Sequence, residues 1–240
     1  MTTTITGSSF ASLFPTENQL PFICRTAAGS LLGHTLLKQS VPPDCLVLAI
    51  PRGGVPVAAE IARVLRVTLD VFLIRKIAHP SRPELSLGTL STGGLCTLDP
   101  EMLDRYPVTS HELESTIARE RAELNRRELS YRQDRPPLSV SGQTVILVDD
   151  GLTTGTTMRN AATLIRQMEP ARVIAAVPVA SAEACAALEL EADSLVCAHV
   201  PSSLGSVRRW YRDFSPVMDR EIRDFLAAPA CTAHAHAFRA

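Results

Sequence analysis

Two adjacent carboxylates, Asp149 and Asp150, follow an apolar run and precede a turn rich in glycine and threonine. The run at 145–148, Val-Ile-Leu-Val, is typical of a buried parallel strand. Residues 156–166 have apolar positions at helical spacing. The turn 151–155 therefore precedes a helix N-terminus, where unpaired N–H groups and the helix dipole favour an anion such as phosphate. Because the two carboxylates would repel that phosphate, we expect them to bind sugar hydroxyls, a divalent cation or both.

Two familiar phosphate-binding motifs do not fit this turn. In a P-loop, G-x-x-x-x-G-K-[ST], the lysine reaches the phosphates, but Gly151 and Gly155 are one residue too close together and Thr156 stands where the lysine would be. The G-x-G-x-x-G fingerprint of dinucleotide sites follows no predicted strand. A helix cap beside an ordinary loop is the weaker alternative, because the strand, the paired acids and the hydroxyl-rich turn occur together.

A second candidate anion site follows the predicted strand 45–50. It is Pro-Arg-Gly-Gly at 51–54 and leads into a predicted helix over 55–66. Its glycines let backbone N–H groups face a ligand, the helix adds its positive end, and Arg52 adds a full charge. The alternative is a tight turn with a surface arginine.

A basic pair, Arg75-Lys76, closes the next predicted strand, 69–74. The chain has only two lysines against 22 arginines, so a lysine at this place is unusual for it. A basic pair at a strand end can neutralise a pyrophosphate leaving group, whereas a solvated surface pair is the alternative. Residues 77–107 follow, which is too long for an ordinary connection and indicates a lid or binding loop.

Residues 145–157 resemble the phosphoribosyl-pyrophosphate (PRPP) motif of type I phosphoribosyltransferases. In that family the two acids hold the ribose 2′- and 3′-hydroxyls and the following loop wraps the 5′-phosphate. The resemblance makes 77–107 a mobile lid, places a non-proline cis peptide in the pyrophosphate loop, and implies Mg²⁺ held mainly by the substrate. The catalytic residues that it implies are Asp149, Asp150, Arg75 and Lys76, and the two aspartates would also be the protein ligands of the metal. The residues that it implies for binding the 5′-phosphate are Thr153, Thr154, Gly155, Thr156 and Thr157. Those that it implies for binding pyrophosphate are Arg52, Gly53 and Gly54.

More narrowly, residues 22–226 are similar to a bacterial group of phosphoribosyltransferases with unsettled substrate. The similarity rests on Pro51–Val57, Arg75-Lys76, Pro83-Glu84-Leu85, the PRPP motif, Val177-Pro178-Val179 and Trp210–Phe214. The chain departs from the group at Thr92, where an acidic residue is usual, and near Leu204, where an aromatic residue is common.

Strands alternate with helices along the chain. We predict helices over 28–38, 111–132 and 182–190, and strands over 173–177 and 194–198, besides those above. This order predicts an α/β fold with a mostly parallel, twisted sheet flanked by helices, as in type I phosphoribosyltransferases. We expect a loose leader over 1–20, one domain over 21–226 with a small C-terminal hood at 200–226, and a disordered tail over 227–240.

Composition limits the function classes. With 240 residues, 45% of them hydrophobic, the chain can bury a sizeable core. A formal net charge of −1 provides no basic field to attract nucleic acid or a membrane. The N-terminus does not resemble a signal peptide, so a cytoplasmic location is expected. The six cysteines are scattered without a C-x-x-C pair, which disfavours zinc and a disulfide framework.

The acceptor site is predicted in the hood. Trp210, Tyr211 and Phe214 could stack on a base, and Asp213 could accept from a ring N–H. The alternative is that Trp210 and Phe214 pack the hood onto the core through their i,i+4 spacing.

The sequence thus predicts an enzyme that transfers 5-phosphoribosyl from PRPP to a nitrogenous acceptor such as a nucleobase and releases pyrophosphate. The expected partners are PRPP and a small-molecule acceptor, and binding to nucleic acid or a membrane is not expected. The protein could act as a homodimer. One alternative is a PRPP-sensing regulator on the same fold that binds nucleic acid, which should show a basic face or an added helix-turn-helix. Another is a transferase acting on a non-nucleobase amine or phenol.

Overall fold

A computed structural model describes residues 3–5, 21–39 and 41–228. The chain forms two compact units, one of residues 1–71 with 140–240 and the other of residues 72–139. The strands are β1 (Thr3–Ile5), β2 (Leu46–Ala49), β3 (Thr68–Val71), β4 (Ile74–His79), β5 (Arg82–Ser91), β6 (Cys96–Leu98), β7 (Thr144–Val148), β8 (Arg172–Val179) and β9 (Ser194–His199). The helices are α1 (Arg25–Lys38), α2 (Gly54–Leu65), α3 (Pro100–Arg105), α4 (Ser110–Arg132), α5 (Thr156–Arg166), α6 (Ala182–Leu188) and α7 (Asp219–Ala227), with short 3₁₀ turns at Thr92–Gly94 and Val207–Trp210.

The first unit is built on a parallel sheet of six strands in the order β1-β9-β8-β7-β2-β3. All residues of β7 are buried, as a strand covered on both faces must be. Helices flank the sheet: α2 packs on β2, and α5 packs on β8. The predicted α/β class with a mostly parallel sheet is confirmed.

The register of β2 and β7 positions the site. These strands are direct neighbours, and their last residues, Ala49 and Val148, are partners across the pair. The two segments that follow them therefore leave the sheet side by side at its carboxyl edge, where ligands bind in open α/β folds.

The N-terminal and C-terminal segments are described only in part. Residues Thr3–Ile5 form β1 beside β9, where a loose leader was expected. The rest of that leader and nearly all of the predicted tail lie outside the described residues. Among the described residues, no helix has both the length and the apolar content of a bilayer-spanning segment.

In the second unit, most of residues 77–107 form strands and a helix, where a loop was predicted. Strands β4, β5 and β6 form an antiparallel sheet, and β4 joins β5 through a two-residue turn at Pro80-Ser81. Gly88 lies inside β5, where an added Cβ would overlap the carbonyl oxygen of Thr97. The loop prediction was therefore wrong, because residues typical of loops serve here as a hairpin turn and a close strand contact.

The predicted strand 69–74 is also wrong in its extent. It combines β3 of the first unit, which ends at Val71, with the start of β4 in the second unit. Consequently Arg75 and Lys76 do not close a strand of the parallel sheet but lie within an antiparallel hairpin.

Helices α1 and α2 pack closely through glycines of α1. A Cβ at Gly29 would overlap the backbone carbonyl oxygen of Val57 and lie 2.9 Å from its Cα. A Cβ at Gly33 would lie 2.8 Å from the Val64 side chain instead. Since α2 begins at Gly54, this contact also anchors the segment that follows β2.

Replacing Gly29 with alanine should therefore destabilise the protein. At an exposed helical position the same change stabilises by about 1 kcal/mol, but here the new methyl group meets backbone, and overpacking of this kind costs about 1–3 kcal/mol. Gly33→Ala is the matched comparison, with a smaller expected cost because its overlap is milder, 2.8 Å to the Val64 Cβ against a closer overlap with the Val57 carbonyl oxygen. Urea unfolding of the three proteins checks this; equal or higher stability of Gly29→Ala would contradict it.

Candidate functional site

The segments after β2 and β7 touch each other at the carboxyl edge of the sheet. The Ile50 N–H donates to the Val148 carbonyl oxygen at 2.8 Å. A Cβ at Gly54 would lie 2.6 Å from that same oxygen, and a Cβ at Gly53 would overlap the Asp150 carboxylate. Glycine is therefore required at position 54, where backbone lies opposite, whereas a side chain at position 53 would displace the Asp150 carboxylate. The structure brings the predicted pyrophosphate loop into contact with the predicted ribose-binding acids.

The peptide bond between Pro51 and Arg52 is cis, as the resemblance implied for this loop. The Gly54 N–H donates to the Ile50 carbonyl oxygen at 3.1 Å, which closes the turn. The Arg52 side chain is half-exposed, and its Nε lies 3.2 Å from Asp219 Oδ1 at the start of α7. An ion pair this exposed contributes little to stability, so Arg52 can exchange its carboxylate for another anion at low cost.

The predicted 5′-phosphate loop is fixed at its base and open at its tip. The Leu152 N–H donates to the Val179 carbonyl oxygen at 2.9 Å, and Ser181 Oγ donates to the Thr153 carbonyl oxygen at 2.5 Å. Gly155 has φ 71°, a left-handed conformation that glycine adopts without cost, and it caps α5.

The open tip carries the hydroxyl groups. Exposed threonines are Thr153, Thr154, Thr156 and Thr157. Within α5 as described, the first turn has no acidic residue, and Gly155 provides no side-chain cap. The Thr156 N–H donates to Thr154 Oγ1 at 3.5 Å, the limit of a hydrogen bond, so an anion can replace this acceptor at the start of the helix.

The two acids are half-buried and interact directly. The Asp150 N–H donates to Asp149 Oδ1 at 2.8 Å, and Arg25 Nε donates to Asp150 Oδ2 at 2.8 Å. Burial raises the pKa of Asp149 well above its usual range, and the neighbouring Asp150 charge raises it further. Burial also raises the pKa of Asp150, while the hydrogen bond from Arg25 lowers it. Asp150 is thus the acid whose charge is compensated.

Arg25 is the residue of this site that sequence reasoning missed. It lies at the start of α1 and is buried, and its Nη1 also donates to the Ser215 carbonyl oxygen at 2.9 Å. Its guanidinium carbon lies 3.7 Å from the ring centroid of Phe214. No local motif marks Arg25, because the predicted first helix began three residues later and its carboxylate partner is 125 positions away.

The hood packs on the acid pair through aromatic side chains. The Tyr211 hydroxyl donates to the Asp150 carbonyl oxygen at 2.6 Å, and its ring contacts Phe22 and Phe214 at centroid distances of 5.6 and 5.2 Å. A Cβ at Gly151 would lie 2.7 Å from the Val207 side chain, so the hood touches this segment directly.

The four predicted acceptor residues have partners within the hood region. Tyr211 and Phe214 pack as described, and burial raises the Tyr211 pKa well above its usual range. Trp210 Nε1 donates to the Leu204 carbonyl oxygen at 3.0 Å, and its ring lies 4.9 Å from that of His199. The exposed Asp213 accepts from Ser215 Oγ at 2.6 Å. These contacts favour packing for Phe214, as the alternative to acceptor binding has it, and they add Tyr211 to the packed residues. Acceptor binding by Trp210, Tyr211, Asp213 and Phe214 stays a prediction.

Arg75 and Lys76 have partners of their own in the second unit. Arg75 Nε donates to Glu120 Oε2 at 2.9 Å, and Lys76 Nζ donates to the Pro83 carbonyl oxygen at 2.6 Å. Thr92, the departure noted in the sequence, is buried, and its Oγ1 accepts from the Leu73 N–H at 2.9 Å. These interactions give Arg75 and Thr92 structural functions, and the predicted catalytic function of the basic pair stays a prediction.

The residues of the site fit a magnesium ion that is held mainly by substrate. Among the described residues, no three His, Cys, Asp or Glu side chains are grouped as a cage for a metal. The acid pair nevertheless offers carboxylate oxygens, and Mg²⁺ is commonly bound by one or two carboxylates together with substrate phosphates. Asp149 and Asp150 would supply those carboxylates.

Comparison with known proteins agrees with this geometry. Residues 19–201 match the phosphoribosyl transferase domain family. Proteins from two strains of Mycobacterium tuberculosis, provisionally named phosphoribosyl transferases, are 32% identical over 202 residues, or 84% of this chain and 45% of theirs. The crystal structure of a Thermus thermophilus protein with 41% identity superimposes with a TM-score of 0.75, covering 85% of this chain and 97% of that one.

The chain therefore belongs to the phosphoribosyl transferase domain family. It spans about half the length of the curated mycobacterial relatives that it matches.

The charge of the acid pair predicts a cost in stability. When folding raises the pKa of a carboxyl group, the group stabilises the folded state fully only below its pKa in the unfolded chain, which is near 3.9. This stabilisation is lost as the pH rises through the pKa of the folded state. Asp149→Asn should therefore raise the free energy of unfolding at pH 8 by about 1 kcal/mol or more. Urea unfolding should show this gain shrinking as the pH falls toward about 4.

Asp150→Asn is the matched control. It also removes one of the two charges, but it leaves the buried Arg25 guanidinium without its carboxylate, which is costly. It should stabilise the protein less than Asp149→Asn, or destabilise it. A gain from Asp149→Asn that does not vary with pH would contradict the assignment.

Proposed function

We propose that this chain transfers the 5-phosphoribosyl group of PRPP to a nitrogenous acceptor, with a nucleobase as the expected class, and releases pyrophosphate. The observation that carries the proposal is the contact between Gly53-Gly54 and Asp149-Asp150 at the ends of neighbouring strands. PRPP has pyrophosphate on C1′ next to the ribose hydroxyls, so its two recognition elements must lie close together. The loop 153–157 supplies a third, for the 5′-phosphate.

The mechanism follows from how charge is placed. Asp149 and Asp150 hold the 2′- and 3′-hydroxyls, and the first N–H groups of α5 with the exposed threonines hold the 5′-phosphate. This fixes the sugar while the bond from C1′ to the pyrophosphate oxygen breaks and the acceptor nitrogen forms the new bond to C1′. The acceptor nitrogen gives up a proton, and the electron pair of the broken bond leaves on pyrophosphate.

The departing charge is stabilised by the segment after β2. Arg52 and the N-terminal end of α2, which begins at Gly54, present positive charge where the pyrophosphate oxygens gain negative charge. The carboxylate of Asp219, now beside Arg52, would yield this place to pyrophosphate. Mg²⁺, when bound, would add charge neutralisation of the same kind, with Asp149 and Asp150 as its protein ligands.

The deciding assay supplies the protein with PRPP, Mg²⁺ and a panel of purines, pyrimidines and other amines or phenols, and measures pyrophosphate release. We expect release with one acceptor class and none without acceptor. Asp150→Asn should lower the rate by about 100-fold or more, because it removes an interaction that orients the reacting sugar. The exposed Asp44→Asn is the matched control and should behave as the wild type.

The outcomes separate the alternatives. Tight PRPP binding without release across the panel would favour a PRPP-sensing regulator, which two gel shifts against nucleic acid at different salt concentrations would then test. Release only with an amine or phenol outside the nucleobases would correct the acceptor class. A folded Asp150→Asn variant with near wild-type turnover would overturn the proposed site.

A further inference from the structure

Arg25 connects the acid pair to the hood through one side chain. Its Nε donates to Asp150 Oδ2 at 2.8 Å, its Nη1 donates to the Ser215 carbonyl oxygen at 2.9 Å, and its planar face lies 3.7 Å from the Phe214 ring centroid. Only 10% of the side chain is exposed. A guanidinium has a rigid, planar set of donors, so three contacts in different directions fix its position and its plane.

This arrangement fixes the orientation of the Asp150 carboxylate. With Oδ2 bound to Arg25, Oδ1 accepts no hydrogen bond from the residues that the structure describes. In the same part of the chain, Asp149 Oδ1 accepts the Asp150 N–H and leaves Oδ2 for a ligand. Each acid therefore offers one oxygen, and two adjacent sugar hydroxyls require two such acceptors.

Asp150 is held to the hood at a second atom. Its backbone carbonyl oxygen accepts from the Tyr211 hydroxyl at 2.6 Å, and the Tyr211 ring lies 5.2 Å from that of Phe214. The backbone of Asp150 and its carboxylate are thus fixed by two residues that share one aromatic neighbour. A displacement of the hood would take Tyr211 away from the Asp150 carbonyl oxygen and take Ser215 and Phe214 away from Arg25, so it would weaken both supports of the acid.

We infer that Arg25 is a positioning residue for PRPP binding, which holds the Asp150 carboxylate in the orientation that receives a ribose hydroxyl and ties it to the hood through Ser215 and Phe214. This inference rests on the proposed function. It differs from a purely structural ion pair, because loss of Arg25 should weaken PRPP binding by more than its effect on folding explains.

The test measures PRPP affinity by calorimetry in the presence of Mg²⁺, on the full chain. Arg25→Met keeps the length of the stem and removes all donors, and it should weaken binding about 10- to 100-fold, the range for a lost hydrogen bond to a charged group. Arg25→Lys keeps the charge, but one ammonium cannot reproduce the planar contacts, so its affinity should lie between those of Arg25→Met and the wild type.

Arg132→Met is the matched control. Arg132 is also a buried arginine that pairs with a carboxylate, that of Glu128 at 3.1 Å, and donates to a carbonyl oxygen, that of Pro136. It lies in the second unit and in no predicted site. Its replacement should lower the urea midpoint, as Arg25→Met does, and leave the affinity for PRPP unchanged.

The results distinguish the two proposals. A wild-type protein that binds no PRPP overturns the proposed function. A wild-type protein that binds PRPP, with a folded Arg25→Met variant of equal affinity, overturns the positioning inference alone. If Arg25→Met does not fold, Arg25→Lys decides, and wild-type affinity in that variant overturns the inference.

Discussion

The close approach of two backbone segments at the ends of β2 and β7 is the constraint on which the rest of the site depends. Gly54 lies against the last carbonyl of β7, and Gly53 lies against the carboxylate of Asp150. A side chain at Gly54 would push the two segments apart, and one at Gly53 would displace the Asp150 carboxylate, so either would disturb the place where the segments meet. Two features of the first unit maintain this approach: the parallel register of β2 with β7 and the packing of α1 on α2.

The second requirement is electrostatic. Two adjacent carboxylates that are half-buried repel each other, and burial adds a cost to each charge. The fold compensates Asp150 in part with Arg25, so its pKa is raised less far than that of Asp149. The acid pair thus retains a local cost in stability, which is common where function and folding make different demands on the same residues.

Sequence reasoning located the part of the site that is local in the chain. The run 145–157 contains its own strand, acids, turn and helix start, so its pattern predicts its structure, and α5 has the predicted bounds. Arg75-Lys76 was placed wrongly because a continuous β-prone run from Leu69 to Ile74 concealed the end of β3 and the start of β4. Arg25 was missed for the opposite reason: its importance comes from contacts with residues 125 and 190 positions away, and periodicity carries no information about such pairs.

The acceptor was the hardest feature to predict, and the contacts of the hood explain why. An aromatic cluster next to a sugar site looks like a stacking surface, but aromatic side chains also bury large areas and pack against one another. Here the Tyr211 hydroxyl is used by the Asp150 carbonyl and the Phe214 face by the Arg25 guanidinium. The same residue types would appear in the sequence in either case. Because Tyr211 and Phe214 contact Asp150 and Arg25, a change in hood sequence must preserve these two contacts, whichever acceptor the protein uses.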